Sequence, residues 1–517
     1  MKKNKAAKAF RTVLRFGLLF LCALAPLCTK CARVGPTADI RVVNRLPDIF
    51  PYSHGTIIPP NIAPLNFVIQ EQGERFFVAF SGQGGKLLAI SSRTPSIAIP
   101  SGKWKEMLSR ERGRCIGVDV FCRANNVWHK YRTVWDTVAL DSIDRFVAYR
   151  KIPVCEYWKA MGMYQRDVQD FTEKIVFQNK SNNACFNCHS FLNNTPAGMV
   201  VEVRSPLFGT PMMLGRLINN KYELRAVNTT TQYSSGKVGF TSWHPAGTMI
   251  AFSMNRFEML YYTAGAEPRA VFDRSGDVAL YDIAKNEISS SPDLSRTDRI
   301  ETMPEWSRDG RFLYFCSAPQ LPENQYRDVR CDLMRIAFDP RAKSWGRLDT
   351  VVTAQQAGGS VLQPRMSPDG RFILVNIAPY GDFPVDKVGT RLGLIDVKTS
   401  ALRVCASGVP WTDSWHGWSS SGRWIVFNSK RLNGRFSAVC FSYVDSAGAM
   451  HSPFVLPQKD PSFYGSSVFA YNVPECLTAA IPVTTGQART ALGEYRKKSS
   501  ADAVTAASAK QGARDEF

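Results

Sequence analysis

The stretch Trp306-Ser307-Arg308-Asp309-Gly310-Arg311-Phe312-Leu313-Tyr314-Phe315 decides the architecture, because the chain contains it four times. Trp243-His244-Pro245-Ala246-Gly247-Thr248-Met249-Ile250-Ala251-Phe252 precedes it. Met366-Ser367-Pro368-Asp369-Gly370-Arg371-Phe372-Ile373-Leu374-Val375 and Trp418-Ser419-Ser420-Ser421-Gly422-Arg423-Trp424-Ile425-Val426-Phe427 follow. Each copy reads as a strand end, a tight turn whose glycine tolerates positive φ, and a buried strand. A second pattern recurs later in two units, Ala279-Leu280-Tyr281-Asp282-Ile283 and Gly393-Leu394-Ile395-Asp396-Val397, with Asp placed for a turn into an outer strand. A spacing of about 50–65 residues is that of propeller blades.

Working outward, Met199–Val203, Met212–Leu217 and Tyr222–Ala226 supply strands for at least one earlier blade, and Phe463–Pro474 is placed to close the ring. The expectation is six blades, within a range of five to seven. Upstream, seven short runs between Asn66 and Tyr149, one with apolar residues at Ile116, Val118 and Val120, predict a β-sandwich. Trp104, Met107 and Leu108 mark one helix, with Ser101 as its cap. The fold class is therefore all-β, an N-terminal sandwich followed by a propeller. The expected organisation is an export signal over 1–33, a sandwich over 34–150, a connector over 151–180, a loop over 181–196, a propeller over 165–485 containing that loop, and a disordered tail over 486–517.

Within the loop, Cys185-Phe186-Asn187-Cys188-His189 reads Cys-x-x-Cys-His, the attachment signature of c-type haem. Two thiols add across the porphyrin vinyl groups, and the adjacent imidazole supplies an axial iron ligand. With 13 Cys and 6 His in 517 residues, chance gives roughly 0.004 occurrences per chain. A zinc site would need a second close Cys/His pair, and a redox dithiol would need a strand before it and a helix after it. The expectation is one covalent haem c on Cys185 and Cys188, with His189 on the iron.

The formal charge is +20. Lys2, Lys3, Lys5, Lys8, Arg11 and Arg15 precede the apolar run Phe16–Leu27, the pattern of an export signal rather than of a membrane span. Cys28 and Cys31 follow it and open the alternative of a lipid anchor, hence membrane association through the N-terminus. Export suits haem attachment, which takes place across the membrane, so the expected location is periplasmic or at the outer membrane. The chain has no dense Lys/Arg block with interleaved aromatics, so nucleic acid is not an expected partner. The remaining cysteines lack regular spacing and read as buried thiols.

The repeat boxes resemble the TolB-type β-propeller repeat over Thr241–Lys430. Joined to the export signal, the sandwich and the haem motif, they resemble a group of TolB-like, cytochrome-c-like envelope proteins of Bacteroidetes over about Asp48–Glu475. There is a weaker likeness to the alpha subunit of hydrazine synthase. The resemblance implies fold and haem and names no substrate; a single haem motif departs from the multi-haem enzyme.

The second axial position separates functions, since a strong-field ligand makes an electron carrier and an open position permits catalysis. His244 stands where the other three boxes have Ser, and His416 stands where two preceding blades have Pro304 and Pro364. Both are candidates, with Met199, Met212 and Met213 as alternatives. The leading expectation is an envelope cytochrome whose propeller face docks a protein partner. A haem oxidoreductase with an open sixth position and a binding scaffold with structural haem are the alternatives. Nothing resembling a Gly-x-Ser-x-Gly elbow follows the last blade, which disfavours a hydrolase. Gly82–Lys86 lacks the phosphate-loop spacing and reads as a hairpin.

Overall fold

A computed structural model describes residues 35–36, 40–51, 54–153, 157–231, 234–235, 237–405 and 411–497. The expected export signal and Cys28, Cys31 and Cys155 lie outside the described residues.

Six four-stranded sheets form the larger body. Their innermost strands are Phe469–Leu477 (blade 1), Cys185–Leu192 (blade 2), Thr241–Trp243 (blade 3), Arg299–Trp306 (blade 4), Ser360–Met366 (blade 5) and Asp413–Trp418 (blade 6). Each neighbours the next, and the last returns to the first. The class is all-β, with a sandwich followed by a six-bladed propeller. Closure joins the first and last strands of the propeller segment: Phe469–Leu477 pairs antiparallel with Phe146–Pro153, setting Cys476 against Val147 and Tyr471 against Lys151. Gly162–Asp167 and Glu173–Gln178 complete blade 1. Pairing strands from the start and the end of the propeller segment in one sheet closes the ring, and only the short outer strand of each blade is left as an edge.

The repeated turns behave as their residues dictate. Gly247, Gly310, Gly370 and Gly422 have φ of 69°, 70°, 72° and 65°. In blades 4 and 5 the box serine ties the turn: Ser307 Oγ donates to Asp309 at 2.6 Å and accepts from the Phe312 amide at 2.9 Å, and Ser367 repeats this with Asp369 and Phe372.

The N-terminal sandwich has a seven-stranded sheet, including Arg75–Gly82, Gly85–Ser92 and Cys115–Ala124, over a three-stranded one. Its core runs without a break into blades 6 and 1, joining Ile58, Val78, Trp104 and Val120 to Trp424, Phe441 and Tyr471. Polar pins cross the same seam: Trp424 Nε1 donates to the Asp141 carbonyl at 3.1 Å, and the Ser420 amide to Asp144 at 2.7 Å. The sandwich is therefore built onto the closing seam of the ring.

Several sequence expectations need correction. The run Phe146–Tyr149 and much of the described part of the expected connector form blade 1, as the strands Phe146–Pro153, Gly162–Asp167 and Glu173–Gln178, because side chains such as Met163, Val176 and Phe177 are buried. The helix Ser101–Arg110 is preceded by Pro100 and has no side-chain cap, so Ser101 is its first residue. The expected loop 181–196 is largely strand: Cys185–Leu192 is the innermost strand of blade 2, and polar asparagines flanking it misled the reading. The expected tail begins with a helix, Thr485–Lys497, whose Ala488 and Leu492 are buried with Phe177 and Phe186. Residues 498–517 lie outside the described residues.

Candidate functional site

Residues three apart on a regular strand point to opposite faces. The strand Cys185–Leu192 is not regular. Phe186 lies opposite Val203 and His189 opposite Val201, so Asn187 and Cys188 together face Glu202 in a β-bulge. The extra residue restores the parity, and Cys185, Asn187 and Cys188 all line one cavity of about 690 Å³ at the mouth where the innermost strands begin. Trp158, Met161, Phe240, Phe257, Met259 and Trp415 give it a largely apolar wall.

The two thiols are free and both half-buried. Cys185 lies 3.4 Å from Arg150 Nη2 and 3.4 Å from Asn187 Oδ1. Burial pushes the Cys188 thiol up to about 12, with the Glu202 charge adding to it. A thiol so held is protonated at neutral pH and is a poor exchange nucleophile.

Blades 4, 5, 6 and 1 carry bulges at the matching place, with Met303, Gln363, Trp415 and Val473 in the left-handed region. The register between blades follows from two tryptophans. Trp418 Nε1 donates to the Arg365 carbonyl of the preceding blade at 3.0 Å, and Trp243 Nε1 to the Ser190 carbonyl at 3.4 Å. Ser190 is thus the counterpart of Arg365, Cys188 that of Trp415 and Val473, and His189 that of His416.

His189 is not on the cavity wall. It is 1% exposed, its ring meets Phe191 edge-on at 5.7 Å, and among the described residues neither ring nitrogen has a hydrogen-bond partner. Burial, then the Arg365 charge, lowers its pKa to about 3, so it is neutral. His416 is likewise buried and lowered to about 3; its ring reaches the Leu374 carbonyl of blade 5 at 3.0 Å through Nε2. His244 ties its turn differently from the serine: Nδ1 accepts from the Ala246 amide at 3.2 Å, and Nε2 lies 3.3 Å from the Gly310 carbonyl of the next blade, edge-on to Trp306. Both candidate distal ligands are staples between blades, and the structure does not bring either of them together with Cys185 and Cys188 on the cavity wall. Met199, Met212 and Met213 are fully buried in blade cores. Among the described residues, no group of three His, Cys, Asp or Glu is placed to hold a metal ion.

Sequence reading missed Arg150 and Trp415, and gave Asn187 no role although it stands inside the Cys-x-x-Cys-His motif. Nothing in the local pattern of Arg150 or Trp415 marks them; they reach this wall because blades 6, 1 and 2 follow one another around the ring.

The opposite mouth is polar. Arg365 stands between two half-buried carboxylates, 3.7 Å from Glu305 and 3.3 Å from Glu475, beside a cavity of about 100 Å³. Glu305 also accepts from Ser242 Oγ and the Met366 amide, both at 3.0 Å. Burial raises Glu475 to about 7, against the lowering effect of Arg365.

No protein-family model matches the chain, and no curated protein is similar to it. Among solved structures, a TolB protein of Agrobacterium tumefaciens is 14% identical and covers 65% of this chain and 99% of its own, with a TM-score of 0.35. A chain from a nidogen/laminin complex is 7% identical over 65% of this chain and 100% of its own, with a TM-score of 0.39. The Cps50 (Swd1) β-propeller domain of Myceliophthora thermophila is 11% identical over 70% of this chain and 95% of its own, with a TM-score of 0.33. The propeller assignment rests on the six closed sheets themselves.

Proposed function

We propose that this chain is an exported β-propeller of the cell envelope that carries one covalent haem c in the 690 Å³ cavity, serving electron transfer or redox-linked binding of a protein partner. The observation that carries the reading is the bulge that brings Cys185 and Cys188 to one wall. The cavity size falls within the roughly 300–1,000 Å³ of cofactor sites, and its aromatic lining suits a flat apolar ring. The two sulfurs fit attachment. His189 does not fit as it stands, because its ring lies off the cavity wall; no step is assigned to it. The group would supply one-electron redox chemistry when bound. The chain's own part is to hold it between blades 1, 2 and 6 and to exclude water with Phe240, Phe257 and Trp415.

The test is expression with a haem-ligation system, followed by a pyridine haemochrome spectrum and mass spectrometry. The expected result is one haem per chain, lost in Cys185→Ala. Unmodified Cys185 and Cys188 in a cell able to mature cytochromes would overturn the proposal. A second reading, a binding scaffold with no covalent group, is favoured by the placement of His189 and predicts that Cys185→Ala leaves partner binding intact.

A further inference from the structure

Buried polar atoms without partners are uncommon in folded proteins, since each costs about 1–3 kcal/mol. Three such donors share the walls of the large cavity. Arg150 Nε, Asn187 Nδ2 and Trp415 Nε1 are buried and have no hydrogen-bond partner among the described residues. Asn187 and Trp415 are 9% and 6% exposed.

Arg150 is the most unusual of the three. Among the described residues its Nη2 touches only sulfur, Met161 Sδ at 3.2 Å and Cys185 Sγ at 3.4 Å. It forms no ion pair among the described residues, whereas the other arginines of this wall are matched. Arg204 holds Glu202 at 2.6 Å, and Arg269 holds Asp386 at 2.7 Å. The cavity's acids do not compete for it. Glu202 is committed to Arg204, although its second oxygen is unpartnered. Asp273 is pushed well above the usual carboxylate range by burial and then by Asp382. A guanidinium facing an apolar wall with no counterion is costly unless an anion completes it.

We infer that Arg150 is a carboxylate clamp. The guest of this cavity is an amphipathic organic acid whose apolar body lies on the aromatic wall and whose carboxylate pairs with Arg150 beside Cys185, with Asn187 and Trp415 as further donors. The inference goes beyond the haem reading: porphyrin carboxylates sit on the ring edge opposite the vinyl groups that Cys185 and Cys188 would bind, so a covalent haem would not bring them to Arg150 beside Cys185, whereas a fatty acid or an unattached porphyrin offers such a carboxylate.

The test titrates the haem-free full chain by fluorescence with protoporphyrin IX and with its dimethyl ester, and by calorimetry with laurate and with dodecanol. A charge-assisted hydrogen bond predicts that each acid binds about tenfold to a hundredfold tighter than its neutral partner. Arg150→Met should reduce the acid to the level of the neutral compound while leaving the latter unchanged, and Arg150→Lys should restore part of the preference. The wild-type comparison does not depend on the variants folding. Arg150-dependent preference for laurate without porphyrin binding would retire the haem reading and keep the clamp. Equal affinity for acid and neutral compound in both pairs, or a preference that survives Arg150→Met, would overturn the clamp even if mass spectrometry finds haem on the cysteines.

Discussion

Replacing Glu475 by Gln should change how the stability of the propeller depends on pH. Glu475 lies on the closing strand with Arg365 at 3.3 Å, and burial lifts it from the ordinary 4.5 to about 7. A carboxyl with a folded pKa above its unfolded one binds more protons folded than unfolded across that interval. Its contribution is fully present below about pH 4.5 and is lost as pH rises through about 7. At about 1.4 kcal/mol per pH unit, that interval amounts to about 3 kcal/mol. Glutamine does not titrate. Relative to wild type, Glu475→Gln should therefore gain about 3 kcal/mol between pH 4.5 and pH 7.5, read as a rise of several degrees in the difference between the two melting temperatures. Differential scanning calorimetry of both proteins at four or five pH values gives that difference directly, and other titrating groups cancel from it to first order. A difference that stays flat from pH 4.5 to 7.5, or one that falls, would refute the claim that Glu475 is a desolvated carboxyl at the channel mouth.

Two further outcomes follow from named contacts. Gly310→Ala should lower stability by about 1–3 kcal/mol, because the residue has φ of 70° and a Cβ there would lie 2.2 Å from His244 Nε2. Combining it with His244→Ser should recover part of the loss in a thermal melt, and no recovery would mean that the imidazole is not what the methyl group meets. In the haem-free protein, iodoacetamide at pH 8 should modify exposed Cys115 well before Cys188, whose thiol burial holds near 12; peptide mapping showing Cys188 labelled first would contradict the burial of that thiol.

Much of the propeller was legible because its signals are local. A turn that needs positive φ takes Gly247, Gly310, Gly370 or Gly422 whatever lies around it, and a buried strand after each turn declares itself by its apolar run. Blade 1 was not legible, because its innermost strand comes from the far end of the chain and no local pattern announces a pairing between Val147 and Cys476. His244 and His416 stand out in the sequence as departures from the repeat. Sequence shows that a ring replaces Ser or Pro there, but not that a carbonyl of the next or preceding blade waits within reach of it.

The sequence alone determined the fold class and the Cys-x-x-Cys-His spacing, since both depend on which residues are near one another along the chain. Only the tertiary structure decided what that motif faces. A single inserted residue in a strand reverses the parity of every side chain after it, and that bulge sets Cys185 and Cys188 on the cavity and His189 away from it. The same holds for Arg150: its want of a counterion is a property of three blades meeting, and no window of sequence contains all three.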